Sequence, residues 1–403
     1  MLVELHLLTS HAPSNLNRDD FGRPKTALFG GTERGRVSSQ ALKRAIRKSG
    51  WLEERFADKI STRSLHIPQM LHDEFAPQYE GDDLDRLMEL CGAVTHALGD
   101  PDAKYAKKHD QPTSLKTSQI VFLTPKEIEG LRNLIAAKME DGTRLTKKEV
   151  KAFGDTVSEA VGLDKRPTDA IDMGLFGRMT TAKTSSFVAV DASMQVAHPI
   201  ATHTTVTETD YFTAVDDWKE EQKKATGRSD ESEDRGDVDS RGSGHIGELD
   251  FNSAVYYKYL SCDLDALVRN LGGDKDPEGA KAAALDALEA VFGAACVVTP
   301  TGKQNSFASH SPADAALLVV REAKVPCSLA TAFERAVPAT SDGYTAASTD
   351  AMLDRYDRIR RGYELDTDKA AFFTLLDGAA IPHGVETVDR IGGLWEEMRA
   401  YVA

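Results

Sequence analysis

The sequence has few cysteines and no long apolar run. None of its four cysteines forms a C-x-x-C pair, and no stretch of the 403 residues approaches a membrane-spanning length. These cysteines are Cys91, Cys262, Cys296 and Cys327. They are expected to be small apolar core residues rather than disulfide partners or zinc ligands. The N-terminus carries an early Glu4 and lacks the basic start of a signal peptide, so we predict a cytoplasmic protein with no membrane partner.

Motifs of several enzyme classes are also absent. The segment FGGTERGR at 29–36 lacks the spacing of a P-loop, and no G-x-G-x-x-G follows the first predicted strand. The nucleophile elbow of a serine hydrolase does not occur either. An ATPase and a serine hydrolase are therefore disfavoured, and the sequence predicts no cofactor and no metal site.

Positive charge is scarce overall but concentrated near the N-terminus. The chain has 49 Lys and Arg against 64 Asp and Glu, a net charge of -15. Residues 18–48, here called the basic island, contain only Asp19, Asp20 and Glu33 as acidic residues. Its cations are Arg18, Arg23, Lys25, Arg34, Arg36, Lys43, Arg44, Arg47 and Lys48. This concentration predicts a phosphate-binding surface, with a long polyanion as the partner.

A helix is predicted inside the basic island, from about Ser39 to Phe56. Ser38 or Ser39 is suited to the N-cap, and the first N–H groups of a helix favour anions. Three apolar residues share one helix face: Leu42, Ala45 and Ile46. The polar residues Gln40, Lys43, Arg44, Arg47 and Lys48 lie on the other face. A solvated amphipathic helix is the alternative, but the loop and the strand before the helix add cations too. Arg34 and Arg36 alternate as on a strand and are expected to point the same way.

The rest of the chain alternates between strand-like and helical patterns. Alternation predicts strands at the N-terminus, around 188–194, at 251–259 and at 315–321. Helices are predicted at Asp83–Leu98, Pro125–Met139, Leu145–Val161, from Asp276 onward, and from Ser348 or Thr349 to about Tyr363. The segment 198–217 reads as an extended hairpin, and 219–244 has almost no large apolar residue and is predicted to be a disordered acidic loop. Two β-α-β halves with insertions predict an α+β, ferredoxin-like sheet, a type that commonly presents one open face to single-stranded RNA.

Several segments together resemble one known family. They are HAPSNLNRDD at 11–20, FGG at 29–31, RVSSQALKR at 36–44, GRM at 177–179, VAHPIATH at 196–203, DYFTAVDD at 210–217 and GHIG at 244–247. In order and spacing they resemble the crRNA-binding backbone subunit of the type I-E CRISPR Cascade complex, the CasC family. The match runs from the first strand to about Tyr259 and continues more loosely beyond it.

The resemblance implies a non-enzymatic, hand-shaped RNA-binding subunit used in antiviral defence. Its palm, a modified RNA-recognition fold, would comprise 1–60, 180–197 and 246–403. A helical fingers insertion would span 61–179, and a thumb hairpin 198–245, with the acidic loop at the thumb base. Copies would polymerise head to tail along one guide RNA, which they display for pairing with a target DNA strand, together with other Cascade subunits.

The resemblance also assigns residues. Palm contacts to RNA carry over to Arg18, Lys25, Arg36, Ser38, Gln40, Lys43, Arg44 and Arg47. Met179 would lie at the RNA kink and Phe212 at the thumb tip, with core packing as the alternative for both. Arg34 and Arg178 complete the RNA-binding candidates, and Thr32 and Glu33 depart from the family, which often has cations there. The cationic start of the third predicted helix, with Lys147, Lys148 and Lys151, is either an exposed face or a contact to target DNA.

The competing hypothesis is a metal-dependent ribonuclease. His11, Asp19 and Asp20 could hold Mg²⁺ at a phosphate, because gathered carboxylates are the ligands that such chemistry needs. Asp19 and Asp20 are adjacent, however, so their side chains would diverge on a strand, and no third carboxylate is close in sequence. Pairing with Arg18 or Arg23 is the simpler expectation.

Overall fold

The computed structural model describes residues 1–142, 144–145, 147–163, 169–179, 188–215 and 243–402. Its strands are β1 (Leu2–Ser14), β2 (Thr26–Phe29), β3 (Thr32–Gly35), β4 (Thr62–Ser64), β5 (Val121–Leu123), β6 (Met194–Val196), β7 (Ile200–Ala201), β8 (Glu208–Val215), β9 (Ser243–Asp263), β10 (Ala315–Arg321), β11 (Lys369–Thr374) and β12 (Val385–Thr387). Its α-helices are α1 (Ser39–Arg47), α2 (Gly50–Glu53), α3 (Ile67–Phe75), α4 (Asp82–Leu98), α5 (Ala103–Lys108), α6 (Pro125–Glu140), α7 (Lys147–Val161), α8 (Ile171–Phe176), α9 (Leu264–Asn270), α10 (Pro277–Val297), α11 (Gln304–Phe307), α12 (Thr345–Gly362) and α13 (Ile391–Val402). Within this part of the chain, no helix is both long and apolar enough to cross a membrane.

A mixed sheet forms the centre of the molecule. Its strand order is β12-β11-β10-β1-β9-β6, with β7 and β8 also paired to β9. β1 lies between β9 and β10 and is antiparallel to both. With α1 after β1 and α10 between β9 and β10, the four strands β10-β1-β9-β6 form the split β-α-β arrangement of a ferredoxin-like fold. The predicted α+β fold is therefore confirmed.

Both faces of this sheet are covered. Val3, Leu5 and Leu7 alternate on β1 and pack with residues of α1, α10 and α13 in the largest apolar core. The opposite face packs against α12 in a second core that contains Leu8, Tyr257 and Tyr259. This sheet therefore differs from those of its type that present an open face to single-stranded RNA, because the C-terminal region supplies a layer that local sequence patterns do not reveal.

Several predicted helix boundaries move in the structure. Of the two predicted caps, Ser38 or Ser39, the N-cap is Ser38, whose side chain accepts the Ala41 N–H. The helix α1 ends at Arg47, because Ser49 is extended and a separate short helix follows. Asp276 caps α10 as predicted. The helix predicted to start at Ser348 or Thr349 begins at Thr345, and these two hydroxyls instead lie buried inside it. There they donate to the carbonyls of Tyr344 and Thr345.

The helices between β4 and β6 have a core of their own. Apolar residues of α3, α4, α6 and α7 form a cluster separate from both sheet cores. α6 starts with a capping box in which Thr124 and Glu127 satisfy each other's backbone N–H groups. This cluster lies within the predicted fingers insertion, 61–179.

A long hairpin extends from the central sheet. The second half of β9 pairs with β1, whereas its first half pairs with β8 from Glu208↔Phe251 to Val215↔Ser243. Val215 and Ser243 therefore lie at the end of the hairpin farthest from the sheet. The position predicted for the acidic segment, at the thumb base, concerns residues that lie outside the described part of the chain. The predicted disorder of 219–244 concerns residues that, up to 242, lie outside the described part.

Candidate nucleic-acid interface

The parts of the basic island are joined into one surface by backbone hydrogen bonds. The Lys25 N–H donates to the Asn17 carbonyl (2.8 Å), and the Arg36 N–H donates to the Lys25 carbonyl (2.8 Å). The Ser38 N–H donates to the Asn17 side chain (2.8 Å), which connects the loop to the start of α1. Loop, β2–β3 hairpin and helix therefore contribute their cations from fixed positions.

An open groove of about 480 Å³ lies between the 17–22 turn, α1 and the 300–302 loop. Arg18 and Arg44 are exposed and line it, together with Asp19 and Asp20. The loop wall is tight, because a Cβ at Gly302 would lie 2.3 Å from the Leu16 carbonyl oxygen. The groove therefore presents two predicted RNA contacts, Arg18 and Arg44, on facing walls. Gln40 is also exposed, one turn before Arg44 on α1.

A second group of cations surrounds His198. An Arg36 Nη1 lies 2.8 Å from His198 Nδ1, and Arg36 forms a β-bridge with Ile200. Burial, and then the cations of Arg36 and Lys25, lower the pKa of His198 below its usual value. A neutral His198 can accept a hydrogen bond from Arg36 and hold the guanidinium in place. Arg36 and Lys25 therefore lie in one electropositive region around His198.

Lys43 and Arg47 are half-buried on α1. The Lys43 ammonium lies 5.6 Å from the ring centroid of Phe176, and Arg47 donates to the Ser61 carbonyl (3.2 Å). Burial lowers the pKa of both side chains, and the nearby Arg63 cation lowers both further. Like charges are thus held together at the junction of α1 and the helical insertion.

Arg34 does not lie on this surface. Its side chain is 0% exposed. Nη1 donates to the carbonyls of Ala201 (3.1 Å) and Thr202 (3.0 Å), and Nη2 donates to those of Phe333 (3.0 Å) and Glu334 (3.2 Å). The predicted RNA contact of Arg34 is therefore corrected to an internal connection between β3, β7 and the 330–334 turn. The adjacent Gly30 turn packs there too, because a Cβ at Gly30 would overlap the Glu334 carbonyl.

Arg178 is also internal, whereas its neighbour Met179 is exposed. Arg178 is 2% exposed, and its Nη1 pairs with the buried Glu127 (2.7 Å). The predicted RNA contact of Arg178 is therefore corrected to a structural ion pair. Gly177 has φ +80°, and a Cβ there would lie 2.7 Å from the Val190 carbonyl oxygen, so glycine is required. Met179 is 79% exposed, which excludes core packing and agrees with an apolar residue available to a ligand.

Phe212 lies on the arm of the hairpin. It is 47% exposed and sits opposite Gly247, where a Cβ would lie 2.3 Å from the ring. The predicted tip position is corrected, because β8 continues to Val215. The neighbouring Tyr211, on the other side of the strand, is 67% exposed.

The remaining candidates have different surroundings. α7 begins at Lys147 rather than Leu145, and the side chains of Lys147, Lys148 and Lys151 lie outside the described part of the structure. His11 is buried beside Tyr256 and Ser309, whereas Asp19 Oδ1 accepts the N–H groups of Phe21 and Arg23. Across the described ranges, no group of three His, Cys, Asp or Glu residues could hold a metal ion.

The structure brings residues into the interface that sequence reasoning missed. Arg63 and Asp172 lie next to Arg47 although they are far from it in sequence. His198 and the 300–302 loop adjoin the basic island in the same way. His198 belongs to VAHPIATH at 196–203, one of the segments on which the family resemblance rests, but no local pattern distinguishes Arg63 or Asp172.

Comparisons with known proteins agree with this fold. A family model described as "CT1975-like protein" matches residues 3–390. A chain of a solved "CRISPR RNA-guided surveillance complex, pre-nicking" is 26% identical, with a TM-score of 0.78 and 100% of both chains covered. A chain of another "CRISPR RNA-guided surveillance complex" is 23% identical, with a TM-score of 0.57 and the same coverage, and shows the fold alone. No curated protein matches the sequence significantly.

Proposed function

The chain belongs to the CT1975-like protein family, and from this membership we propose that it is a subunit of a CRISPR RNA-guided surveillance complex. The observation that carries the proposal is the correspondence, over the full length of both chains, with a chain of such a complex at a TM-score of 0.78. The match covers 100% of both chains, so the proposal does not rest on the common ferredoxin-like core alone.

Within such a complex we assign this chain the role of guide-RNA-binding backbone subunit. The exposed and half-exposed cations of the basic island can neutralise phosphates without reading bases, which a protein that accepts any guide sequence requires. The proposed contacts are Arg18, Lys25, Arg36, Ser38, Gln40, Lys43, Arg44 and Arg47. Met179 and Phe212 are exposed apolar side chains that could unstack bases and kink the strand.

The finer assignments rest on the sequence motifs. They support a type I-E complex in which copies of this chain associate head to tail, display the guide to a target DNA strand and contact other subunits. Lys147, Lys148 and Lys151 are the proposed contacts to target DNA. We propose no catalytic role for this chain.

RNA binding by the purified protein tests the central proposal. Replacing both groove arginines, Arg18 and Arg44, with Ala should weaken binding to labelled single-stranded RNAs of unrelated sequence by similar factors. The slope of log affinity against log salt should fall by about 1.4, since each single-strand phosphate contact accounts for about 0.7. Arg390→Gln is the matched control, because this exposed arginine pairs with Glu396 in the C-terminal region.

The same RNA distinguishes binding from cleavage. Incubation with and without Mg²⁺ should leave the RNA intact and bound. Mg²⁺-dependent cleavage that is lost on Asp19→Asn would instead support the ribonuclease hypothesis. If the wild-type protein bound no RNA, the proposed function itself would fail.

A further inference from the structure

A buried carboxylate lies beneath the cationic face of α1. Asp172, on α8, is 0% exposed, and its oxygens accept the Ser61 N–H (2.8 Å) and the Ser61 hydroxyl (2.5 Å). Arg63 donates to the same carboxylate (3.0 Å), and an Arg47 Nη1 lies 3.8 Å from it. One acidic side chain thus connects α1, the β4 region and α8, three segments far apart in sequence.

The cations around Asp172 exceed the negative charge that it supplies. Lys43, Arg47 and Arg63 form this group, and within the described residues Lys43 has no carboxylate partner. Burial, and then the Arg63 cation, lower the pKa of both Lys43 and Arg47 and so disfavour their charged forms. Because the fold holds these like charges close together, an anion that binds beside them would lower the electrostatic free energy.

Two aromatic rings hold the cations in fixed positions. The Arg63 guanidinium lies 4.7 Å from the ring centroid of Phe122, and the Lys43 ammonium lies 5.6 Å from that of Phe176. Such contacts orient a cation without neutralising it. Arg63 retains 24% side-chain exposure, so part of its side chain is accessible to a ligand.

We propose that Arg63 is a further phosphate-binding residue of the guide-RNA surface, and that Asp172 is the positioning residue that holds Arg63 and Arg47 toward one phosphate. The inference rests on the proposed function and adds a phosphate contact from the start of the helical insertion to the phosphate contacts assigned to the palm. α8 carries both Asp172 and Phe176 and is followed directly by Gly177 and the exposed Met179. The phosphate proposed to bind Arg63 and Arg47 would therefore lie beside the helix that leads to Met179, the residue assigned to the kink.

The role of Arg63 is tested with Arg63→Gln and a labelled single-stranded RNA of mixed sequence. The variant should bind more weakly, and its slope of log affinity against log salt should fall by about 0.7, the value for one single-strand phosphate. Arg358→Gln is the matched control, because this exposed, ion-paired arginine lies on α12, which covers the opposite face of the sheet. Equal slopes for Arg63→Gln and the wild type would overturn the assignment.

The role of Asp172 is tested by the sign of the effect of Asp172→Asn. Removing a negative charge from a phosphate-binding surface should strengthen RNA binding if only net charge matters. Positioning predicts the opposite: weaker binding, because Arg63 and Arg47 lose their common anchor. Stronger or unchanged binding by the folded variant would overturn the positioning role.

A milder variant keeps this test valid if Asp172→Asn does not fold. Ser61→Ala removes the hydroxyl bond to Asp172 and the longer contact from Arg63 Nε (3.5 Å), but it leaves the carboxylate charge and the other donors to Asp172. It should weaken RNA binding less than Asp172→Asn, at an unchanged melting temperature. Wild-type affinity in Ser61→Ala would contradict positioning, while RNA binding by the wild type would keep the proposed function intact.

Discussion

Single arginines of the basic island have two kinds of surroundings. Arg44 is exposed in the groove, where its charge is available to a ligand. Arg34 is enclosed by four backbone carbonyls, with Thr32 Oγ1 as a further acceptor 2.8 Å from its Nε. Removing these two side chains should therefore have separable consequences, since one satisfies buried acceptors and the other does not.

Arg34→Ala should destabilise the fold, whereas Arg44→Ala should weaken RNA binding. Stranding several buried carbonyls is expected to cost roughly 3 kcal/mol or more in the free energy of unfolding. Loss of an exposed charge should change that free energy by no more than about 0.5 kcal/mol. Thermal unfolding and RNA titration of both variants measure the two effects. A wild-type melting temperature with lost RNA affinity in Arg34→Ala would show that Arg34 reaches the ligand.

The stability of the fold should depend on pH through His11. Burial, and then the Lys258 cation, lower the pKa of His11 to about 3, whereas an unfolded histidine titrates near 6.5. Between these values the unfolded chain binds the additional proton, so stability decreases as the pH falls. From pH 7 to pH 5 this one group should remove about 2 kcal/mol from the free energy of unfolding.

Urea unfolding of the wild type and His11→Gln at both pH values isolates this contribution. His6 also has a pKa lowered to about 3, and it remains in the variant, so only part of the pH dependence should disappear. Identical pH dependence in the two proteins would show that the pKa of His11 is the same in the folded and unfolded states.

The residues of the interface could be predicted from the sequence only in part. The basic island was identifiable because its cations are close in sequence. Alternation suggested that Arg34 and Arg36 point the same way, but the carbonyls that enclose Arg34 come from the 201–202 and 333–334 segments. Arg63 and Asp172 carried no signal, since tertiary contacts alone bring them beside Arg47.

At the scale of elements, local periodicity predicted the strands and helices better than it predicted the surroundings of single side chains. β1 and β10 form as predicted because continuous or alternating apolar residues specify buried strands. The start of α12 was misplaced because Ser348 and Thr349 look like caps, although their hydroxyls bond back to the preceding turn. The cover of the second sheet face was missed because it is a contact between distant segments.

The hairpin of β8 and β9 provides a test at this scale. Phe212→Ala should leave the melting temperature nearly unchanged, because the ring is half-exposed and packs over Gly247 rather than into a core. If the ring separates bases, the variant should lose the evenly spaced reactive nucleotides that chemical probing detects along a bound guide. Tyr211→Ala is the matched control on the other side of the same strand, and it should retain them. A loss of roughly 3–5 kcal/mol in Phe212→Ala would instead indicate core packing.

At the scale of the whole molecule, closure of both sheet faces restricts where a polyanion can bind. The large sheet surface is occupied by the chain's own helices, and Lys43 and Arg47 lie on α1 next to α8. The hairpin extends beyond the sheet by the length of β8. A site on one surface and a projecting element elsewhere suit a heterologous contact between copies, which need not close into a ring.

Assembly on RNA of increasing length tests this arrangement. If copies associate head to tail along a guide, light scattering should show particle mass rising in steps as the RNA is lengthened, because the strand limits the number of subunits. Asp172→Asn or Arg63→Gln should require more protein to reach each step without changing the step size, since they weaken the contact with RNA rather than that between copies. Deleting the acidic segment between 226 and 240 should leave RNA affinity unchanged, because Val215 and Ser243, the described residues on either side of it, pair at the end of the hairpin farthest from the sheet. A particle of fixed mass on every RNA would contradict the filament, since a closed oligomer has no free surface from which to grow.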